Sequence, residues 1–327
     1  MAPPRSRSRW PLAVLLFVLT FFTTTAMSPL LLRWSRTDAQ VDRADAELPL
    51  LSGSVLRHLV HDPNWLRQGL KFSLAALTIL LAHELGHYLA CRRYGLSVTP
   101  PFFLPLPTMF GTLGAFIRIR SPLADKRQLF DIGVAGPLAG FVTLIPFLLF
   151  GIAHSDRASL RLDPGESLLV PGHCLALELA TRLYYGPLPP GTTLNLHPFA
   201  LAAWFGLLVT AINLIPLGQL DGGHILYAVS PRWQRRLALP VWAALAALGW
   251  SAWPGWILWC AVTLLMGLKH PRVQDETVAL DRQRRLLATA ALAVLVLAFI
   301  PRGLDERTGV AAAAPPIQSR TQRTART

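Results

Sequence analysis

Three residues of the chain have the types and the spacing of a metal site: His83, Glu84 and His87. Positions i and i+4 of an α-helix lie on one face, so the two imidazoles could bind one zinc ion from a single helix. Glu84 would then lie beside a zinc-activated water, where a carboxylate acts as the general base of a hydrolytic reaction. Because the His-Glu-x-x-His pattern is short, its surroundings decide how it is interpreted.

The pattern lies within an apolar run of 21 residues, 70–90. As a helix that rises about 1.5 Å per residue, this run would extend about 31 Å, which matches the hydrocarbon core of a bilayer. A charged side chain deep in such a segment costs on the order of 2.5–3.5 kcal/mol, so ionisable residues there usually have a function or a partner. We therefore expect the metal site to lie within the membrane, nearer the second end of this helix.

A catalytic zinc site typically has three protein ligands, and the sequence leaves two choices for the third. Asp221 follows an apolar segment and precedes two glycines, which permit close backbone approach. His224 lies three residues later, and both carboxylate and imidazole suit zinc. We expect the other histidines to lie on the far side of the membrane (His173 and His197) or to be interfacial or solvated at the ends of spans (His58, His61, His154 and His270).

The composition is typical of a polytopic membrane protein. Of the 327 residues, 52% are hydrophobic and 15% are charged, and the mean hydropathy is +0.41. The formal net charge of +13 would suit nucleic acid, but the basic residues lie mostly in short runs beside apolar segments, as in proteins whose membrane helices they orient. The three cysteines form no CxxC pair, which argues against a disulfide framework and a thiolate zinc site. We therefore expect the lipid bilayer, and no nucleic acid, as a partner.

Seven apolar segments predict an all-α polytopic membrane protein with about seven transmembrane helices, plus or minus one. These segments are 11–32, 70–90, 129–152, 199–216, 237–250, 255–268 and 286–300. The first segment could instead be a cleaved signal peptide, because small residues lie near its end, but we favour an uncleaved span. The segments 237–250 and 255–268 are short and could form a single helical hairpin.

The distribution of Lys and Arg predicts the orientation of the chain. With the N-terminus in the cytoplasm, the cytoplasmic segments contain 17 Lys and Arg residues, whereas the external segments 33–71 and 153–198 contain 9. Cytoplasmic loops carry such an excess, so the His87 end of its helix is expected to face the cytoplasm of a bacterial inner membrane. We divide the chain into a cytoplasmic head (1–10), a membrane-embedded domain (11–301, with a core at about 70–230) and a tail (302–327) that is expected to be disordered.

The segment after the metal helix is apolar but cannot form a regular helix. Prolines interrupt residues 100–107, and in residues 115–120 isoleucines alternate with arginines, which predicts a short strand. Non-helical backbone at membrane depth is tolerated only where it is buried in protein or lines a cavity. We therefore predict a short re-entrant or interfacial β-hairpin near the active site, with an ordinary surface hairpin as the alternative.

Two further segments bear on the architecture. Gly133, Gly136 and Gly140 lie in the segment 129–152, and their spacing is typical of helices that approach each other closely. The polar connection 153–198 is short for an inserted domain, so we expect no accessory peptide-binding module there.

Three motifs of the sequence are His83-Glu84-Leu85-Gly86-His87, Asn213-Leu214-Ile215-Pro216 and Leu220-Asp221-Gly222. Together they resemble the site-2 protease family of intramembrane zinc metalloproteases, peptidase family M50. The resemblance covers about residues 70–290 and is closest to branches of the family without a PDZ domain.

This resemblance implies roles for particular residues. His83, His87 and Asp221 would bind one zinc ion per chain, and Glu84 would be the catalytic base. Asn213 would position the substrate. We assign three residues of the predicted hairpin to the same positioning role: Gly111, Gly114 and Phe116.

The resemblance also implies a reaction and a partner, namely the hydrolysis of peptide bonds within or near transmembrane segments of a membrane-protein substrate. A substrate helix must unwind locally, and the strand at 115–120 could hold it extended by β-addition. Two other classes stay open. A zinc-binding scaffold without proteolytic activity would not need Glu84, and a membrane metal transporter would usually need polar residues along several spans.

Overall fold

The computed structural model describes residues 9–35, 53–159 and 167–308. This part of the chain is mostly helical. The helices are α1 (Trp10–Trp34), α2 (Gly53–His61), α3 (Pro63–Arg93), α4 (Lys126–Ala153), α5 (Leu175–Tyr185), α6 (Pro198–Leu214), α7 (Asp221–Val229), α8 (Pro231–Ser251), α9 (Gly255–Met266) and α10 (Arg282–Ala298). The strands are β1 (Phe102–Pro105), β2 (Thr112–Phe116), β3 (Asp156–Ser159), β4 (Ser167–Pro171), β5 (Thr192–Asn195) and β6 (Leu304–Thr308).

Three of the described helices are long and apolar enough to cross a membrane. These are α1, α3 and α4, with 25, 31 and 28 residues. Helices α6 and α9 are apolar but shorter, and α8 and α10 occupy the positions of the remaining predicted segments. Each predicted apolar segment therefore forms a helix. By length and composition, three of the described helices could cross a membrane, and the count of about seven spans stays a prediction.

The helix that carries His83 and His87 is longer than the predicted 70–90. It begins at Pro63, where the Oδ1 of Asp62 accepts hydrogen bonds from the backbone N of Asn64 at 2.9 Å and of Trp65 at 3.1 Å. It ends at Arg93, ahead of Gly95, whose φ is +68°. Part of the segment 33–71, predicted to be external, is therefore helical, because α2 and the start of α3 lie there; residues 36–52 lie outside the described residues.

Helix α6 lies at the centre of the packed helices and is buried on nearly all sides. The Trp204 side chain is fully buried and donates from Nε1 to the carbonyl of Gly172 at 2.8 Å. A helix that is apolar all round is expected in such a position. Its last turn carries Asn213 toward the metal helix.

Helices α3 and α4 pack at very short range, as the glycine spacing predicts. A methyl group at Gly86 would lie 2.5 Å from the carbonyl oxygen of Ala135. Three of the four glycines of α4 face histidines: a methyl at Gly133 would meet His224, at Gly136 His87, and at Gly140 His83. These positions therefore lack side chains because the histidines occupy the space.

The predicted hairpin is present, with β1 and β2 antiparallel and Phe102 opposite Phe116. Strand β2 ends at Phe116, earlier than the predicted strand at 115–120, and the chain continues extended to a bridge between Val98 and Ile119. The hairpin tip contacts the middle of α1, where the Thr23 hydroxyl donates to the carbonyl of Gly111 at 2.7 Å. The Phe110 ring stacks on Phe205 of α6 at 4.6 Å.

Two further strand pairs were not predicted from the sequence. Strand β3 pairs with β5 inside the connection 153–198, and β4 pairs with β6, with Val170 opposite Asp305. Residues 304–308, in the tail that we expected to be disordered, therefore form a strand. Residues 1–8 of the predicted head and 309–327 of the tail lie outside the described residues.

Candidate metal centre

Helices α3 and α7 bring three potential metal ligands together. His83 Nε2 lies 3.2 Å from His87 Nε2 and 3.2 Å from Asp221 Oδ2. His87 Nε2 lies 3.3 Å from the same carboxylate oxygen. The two histidines are one helical turn apart on α3, and Asp221 is the first residue of α7.

This triangle of atoms fits a zinc ion. Tetrahedral zinc lies about 2.0–2.2 Å from nitrogen and oxygen ligands, which puts the ligand atoms about 3.3 Å from one another. The second nitrogen of His87, Nδ1, lies 2.7 Å from the carbonyl oxygen of Ile132 and must donate to it. This hydrogen bond fixes the ring and leaves the Nε2 lone pair for a metal, as in many zinc sites.

The charges at the site also require a cation. The Asp221 side chain is 14% exposed, and its ion-pair contacts within the described residues are the two imidazoles. A carboxylate withdrawn from water is costly unless it is paired with a positive charge. Two neutral imidazoles and one carboxylate form a ligand set that zinc accepts, so the donor atoms present fit zinc.

The structure groups Asp221, and not His224, with the two motif histidines. The chain between α6 and α7 folds back on itself next to Asp221. Gly222 packs so closely there that a methyl group on it would lie 1.9 Å from the carbonyl oxygen of Leu214. His224 points elsewhere, and its Nδ1 lies 2.7 Å from Nε2 of His270. The glycines beside Asp221 thus permit the close backbone approach expected from the sequence.

Glu84 lies beside this group in the wall of a cavity of about 660 Å³. Its side chain is buried, and Ile117, which follows β2, lines the same cavity. The other walls come from the hairpin, the turn between α6 and α7, and the chain after α9. A substrate bound in this cavity would lie between the metal ligands and the hairpin.

The four predicted substrate-positioning residues are separated in the structure. Asn213 lies in the cavity wall, with its Nδ2 3.4 Å from His83 Nε2, and Phe116 lines the cavity from β2. Gly111 instead packs against the backbone of α1, where a methyl group would lie 2.4 Å from the Cα of Thr24. Gly114 faces open space and is not in the cavity wall.

His270 is a site residue that sequence reasoning missed. It was expected to be interfacial or solvated, but it is 7% exposed and lines the cavity together with Met266 and Pro271. Its position depends on the path of the chain between α9 and α10, and no periodicity or motif in the sequence indicates that path. A histidine followed by proline after a short apolar helix gives no signal of its own.

Known proteins provide an independent comparison. Residues 71–249, more than half of the chain, match the model of Peptidase family M50. The chain is 31% identical over 259 residues to "Probable zinc metalloprotease EGY2, chloroplastic" of Oryza sativa subsp. indica, which covers 77% of this chain and 46% of that protein. It is 34% identical over 242 residues to the Arabidopsis thaliana protein of the same name, covering 71% and 41% of the two chains.

A third relative is "Probable zinc metalloprotease EGY1, chloroplastic" of Arabidopsis thaliana, 32% identical over 245 residues that cover 71% of this chain and 43% of that protein. The chain thus spans less than half the length of these relatives. The region that matches the family model contains all three residues of the ligand group together with Glu84 and Asn213. The chain belongs to peptidase family M50.

Proposed function

We propose that the chain is a zinc endopeptidase that hydrolyses peptide bonds within or next to transmembrane segments of membrane proteins. One observation carries the proposal: His83 and His87, on a helix long enough to cross a membrane, form a ligand triangle with Asp221 of α7, and the buried Glu84 lies beside it. Relatives named as zinc metalloproteases support the same activity.

His83, His87 and Asp221 would hold the zinc ion. When bound, zinc supplies Lewis-acid chemistry that activates water and polarises a carbonyl group. Glu84 would accept the proton of the attacking water and deliver it to the nitrogen of the departing amine. Glu84 is buried in the wall of the cavity, where these proton transfers would occur.

Asn213 would act on the reacting carbonyl. Its side-chain amide points into the cavity from the end of α6, next to His83. Amide N–H groups aimed at a developing oxyanion stabilise it, and the loss of one such donor typically lowers kcat by about 10²–10³-fold.

The substrate would bind as an extended segment along the hairpin. A helix hides its peptide bonds, so the residues to be cleaved must unwind before the reaction. Residues 115–119 line the cavity, and β1 occupies one edge of β2. We propose that an unwound substrate segment adds to the other edge, with Phe116 contacting its side chains.

We also propose an orientation and a location. The excess of Lys and Arg in segments 91–128 and 269–285 over 153–198 supports a cytoplasmic N-terminus and a cavity that opens toward the cytoplasm. The inner membrane of a bacterium is the proposed location. Helices α6, α8, α9 and α10 would complete about seven spans together with α1, α3 and α4.

The proposal is tested with the purified full chain in lipid and a model single-span substrate. We expect Glu84→Gln to abolish cleavage, by at least about 10²-fold, while zinc stays near one per chain, because Glu84 is a base and not a ligand. Val142→Ala, on the exposed face of α4, is the control and should cleave normally.

Undiminished cleavage by Glu84→Gln would rule out the proposed mechanism. Zinc binding without cleavage by the wild-type chain, for every substrate tested, would favour the inactive scaffold. If the chain carries zinc into proteoliposomes, and Glu84→Gln does not change this zinc flux, the result would favour the transporter.

A further inference from the structure

A second pair of histidines lies beside the metal group. His224 Nδ1 is 2.7 Å from His270 Nε2, and His270 Nδ1 is 2.5 Å from the carbonyl oxygen of Pro271. His270 is buried, and both rings lie in the wall of the same cavity as Glu84. The mechanism described above uses neither ring.

The two hydrogen bonds determine which nitrogens carry protons. A carbonyl oxygen can only accept, so His270 Nδ1 must carry a proton and donate it to Pro271. Burial lowers the pKa of His270, which favours the neutral ring, and a neutral ring then accepts at Nε2. His224 therefore donates from Nδ1. Burial also lowers the pKa of His224, to about 4, so its ring is neutral and Nε2 carries a lone pair.

The Nε2 of His224 is open to the cavity. The His224 side chain is partly exposed, and it lines the cavity. Among the described residues, the hydrogen bond of its ring runs through Nδ1, which leaves Nε2 on the cavity side. His224 lies three residues after Asp221 on α7, hence on the same side of the helix.

The packing around the pair holds both rings in place. The Tyr227 ring lies 4.4 Å from the His270 ring, and the Tyr227 hydroxyl donates to Glu276. The backbone N of His270 donates to Gln234 Oε1 at 3.2 Å. Gly133 leaves room for His224, because a methyl there would lie 2.8 Å from its Cβ. These contacts therefore fix the orientation of both rings and the position of His224 Nε2.

We propose that His224 binds the substrate backbone, with Nε2 accepting a hydrogen bond from a peptide N–H of the extended segment. This inference rests on the proposed function, because it requires a peptide in the cavity. An extended peptide carries N–H groups that lose water on entry, and each needs an acceptor. His270 positions this acceptor by holding the protonated Nδ1 of His224.

The test uses synthetic transmembrane peptides in which one amide near the cleaved bond is replaced by an ester, one position at a time. An ester lacks the N–H donor. For one position we expect the ester to lower kcat/KM of the wild-type chain about 3–10-fold, as for the loss of one neutral hydrogen bond. In His224→Phe the same ester should not lower kcat/KM further, apart from the effect that an ester has on the carbonyl group. Esters at the control positions measure that effect.

Further variants separate a binding role from a merely structural one. With the all-amide peptide, His224→Phe should raise KM with little change in kcat and keep its zinc. His224→Gln, which retains an acceptor oxygen, should recover part of the loss. His270→Phe should resemble His224→Phe, and the double variant should be no worse than either single one. His61→Phe, at an exposed position on α2, should have no effect.

Failure of this inference can be distinguished from failure of the proposed function. If the wild-type chain cleaves the peptides in a Glu84-dependent manner, but no ester distinguishes it from His224→Phe, the inference is wrong and the protease function stands. If the wild-type chain cleaves no peptide at all, the proposed function fails and the inference fails with it.

Discussion

Asp221 and His224 lie almost one helical turn apart on α7, and their surroundings differ. The Asp221 carboxylate contacts the Nε2 atoms of both motif histidines, whereas His224 is hydrogen-bonded through Nδ1 to His270. An ionised carboxylate at this depth needs a cation, but a neutral imidazole does not. The two residues should therefore respond differently to replacement.

We predict that Asp221→Ala loses both zinc and activity, because two imidazoles alone do not complete a three-ligand site. His224→Ala should retain close to one zinc per chain and part of its activity. Metal analysis of the two purified variants measures the difference. Zinc that stays in Asp221→Ala but is lost from His224→Ala would show that His224 is the third ligand.

At the scale of elements, the close packing of α3 against α4 determines where the histidines lie. The backbone of α4 passes so near His87 that a methyl group at Gly136 would lie 2.1 Å from its Nε2. On the same helix the carbonyl of Ile132 accepts the hydrogen bond from His87 Nδ1. Helix α4 thus supports the metal site without supplying a ligand.

We predict that Gly136→Ala strongly reduces zinc binding and cleavage, because His87 must move or α4 must shift. Overpacking of this kind typically costs about 1–3 kcal/mol of stability. Zinc content and thermal unfolding of the purified variant are the measurements, with Val142→Ala as the matched control on α4. Normal zinc content in Gly136→Ala would contradict the tight contact between α4 and His87.

For the whole molecule, strand pairing joins distant parts of the chain on one side of the membrane. Strand β6, after the last described helix, pairs with β4 in the connection between α4 and α6. Paired strands must lie on the same side of a bilayer, so the chain between them crosses it an even number of times or not at all. This constraint agrees with α6 and α10 as two crossings and with α8 and α9 as a hairpin.

We predict the labelling pattern of single cysteines with a membrane-impermeant reagent. Cysteines at Arg93 and Arg127 should react from the cytoplasmic side, and cysteines at Arg157 and Glu306 from the opposite side. The native cysteines that the structure describes are buried and should react slowly. The reverse pattern would overturn the proposed orientation, and labelling of Glu306→Cys on the side of Arg93 would contradict the β4–β6 pair.

The sequence by itself determined the local features of this protein. The spacing of His83 and His87 on a helix, the apolar segments and the proline-rich hairpin follow from short-range periodicity and residue type. The third ligand needed the resemblance to a family, because Asp221 is far from His87 in sequence and spacing gives no information about such a pair.

Only the tertiary structure decided which distant groups meet. The contact of His270 with His224, the position of Ile117 in the same cavity wall as Glu84 and the pairing of β6 with β4 depend on how the chain returns between elements. The separation of Phe116, in the cavity wall, from Gly111, against α1, depends on the direction of the hairpin. Such contacts arise from packing between residues that are distant in sequence, and local residue patterns do not predict which of these residues meet.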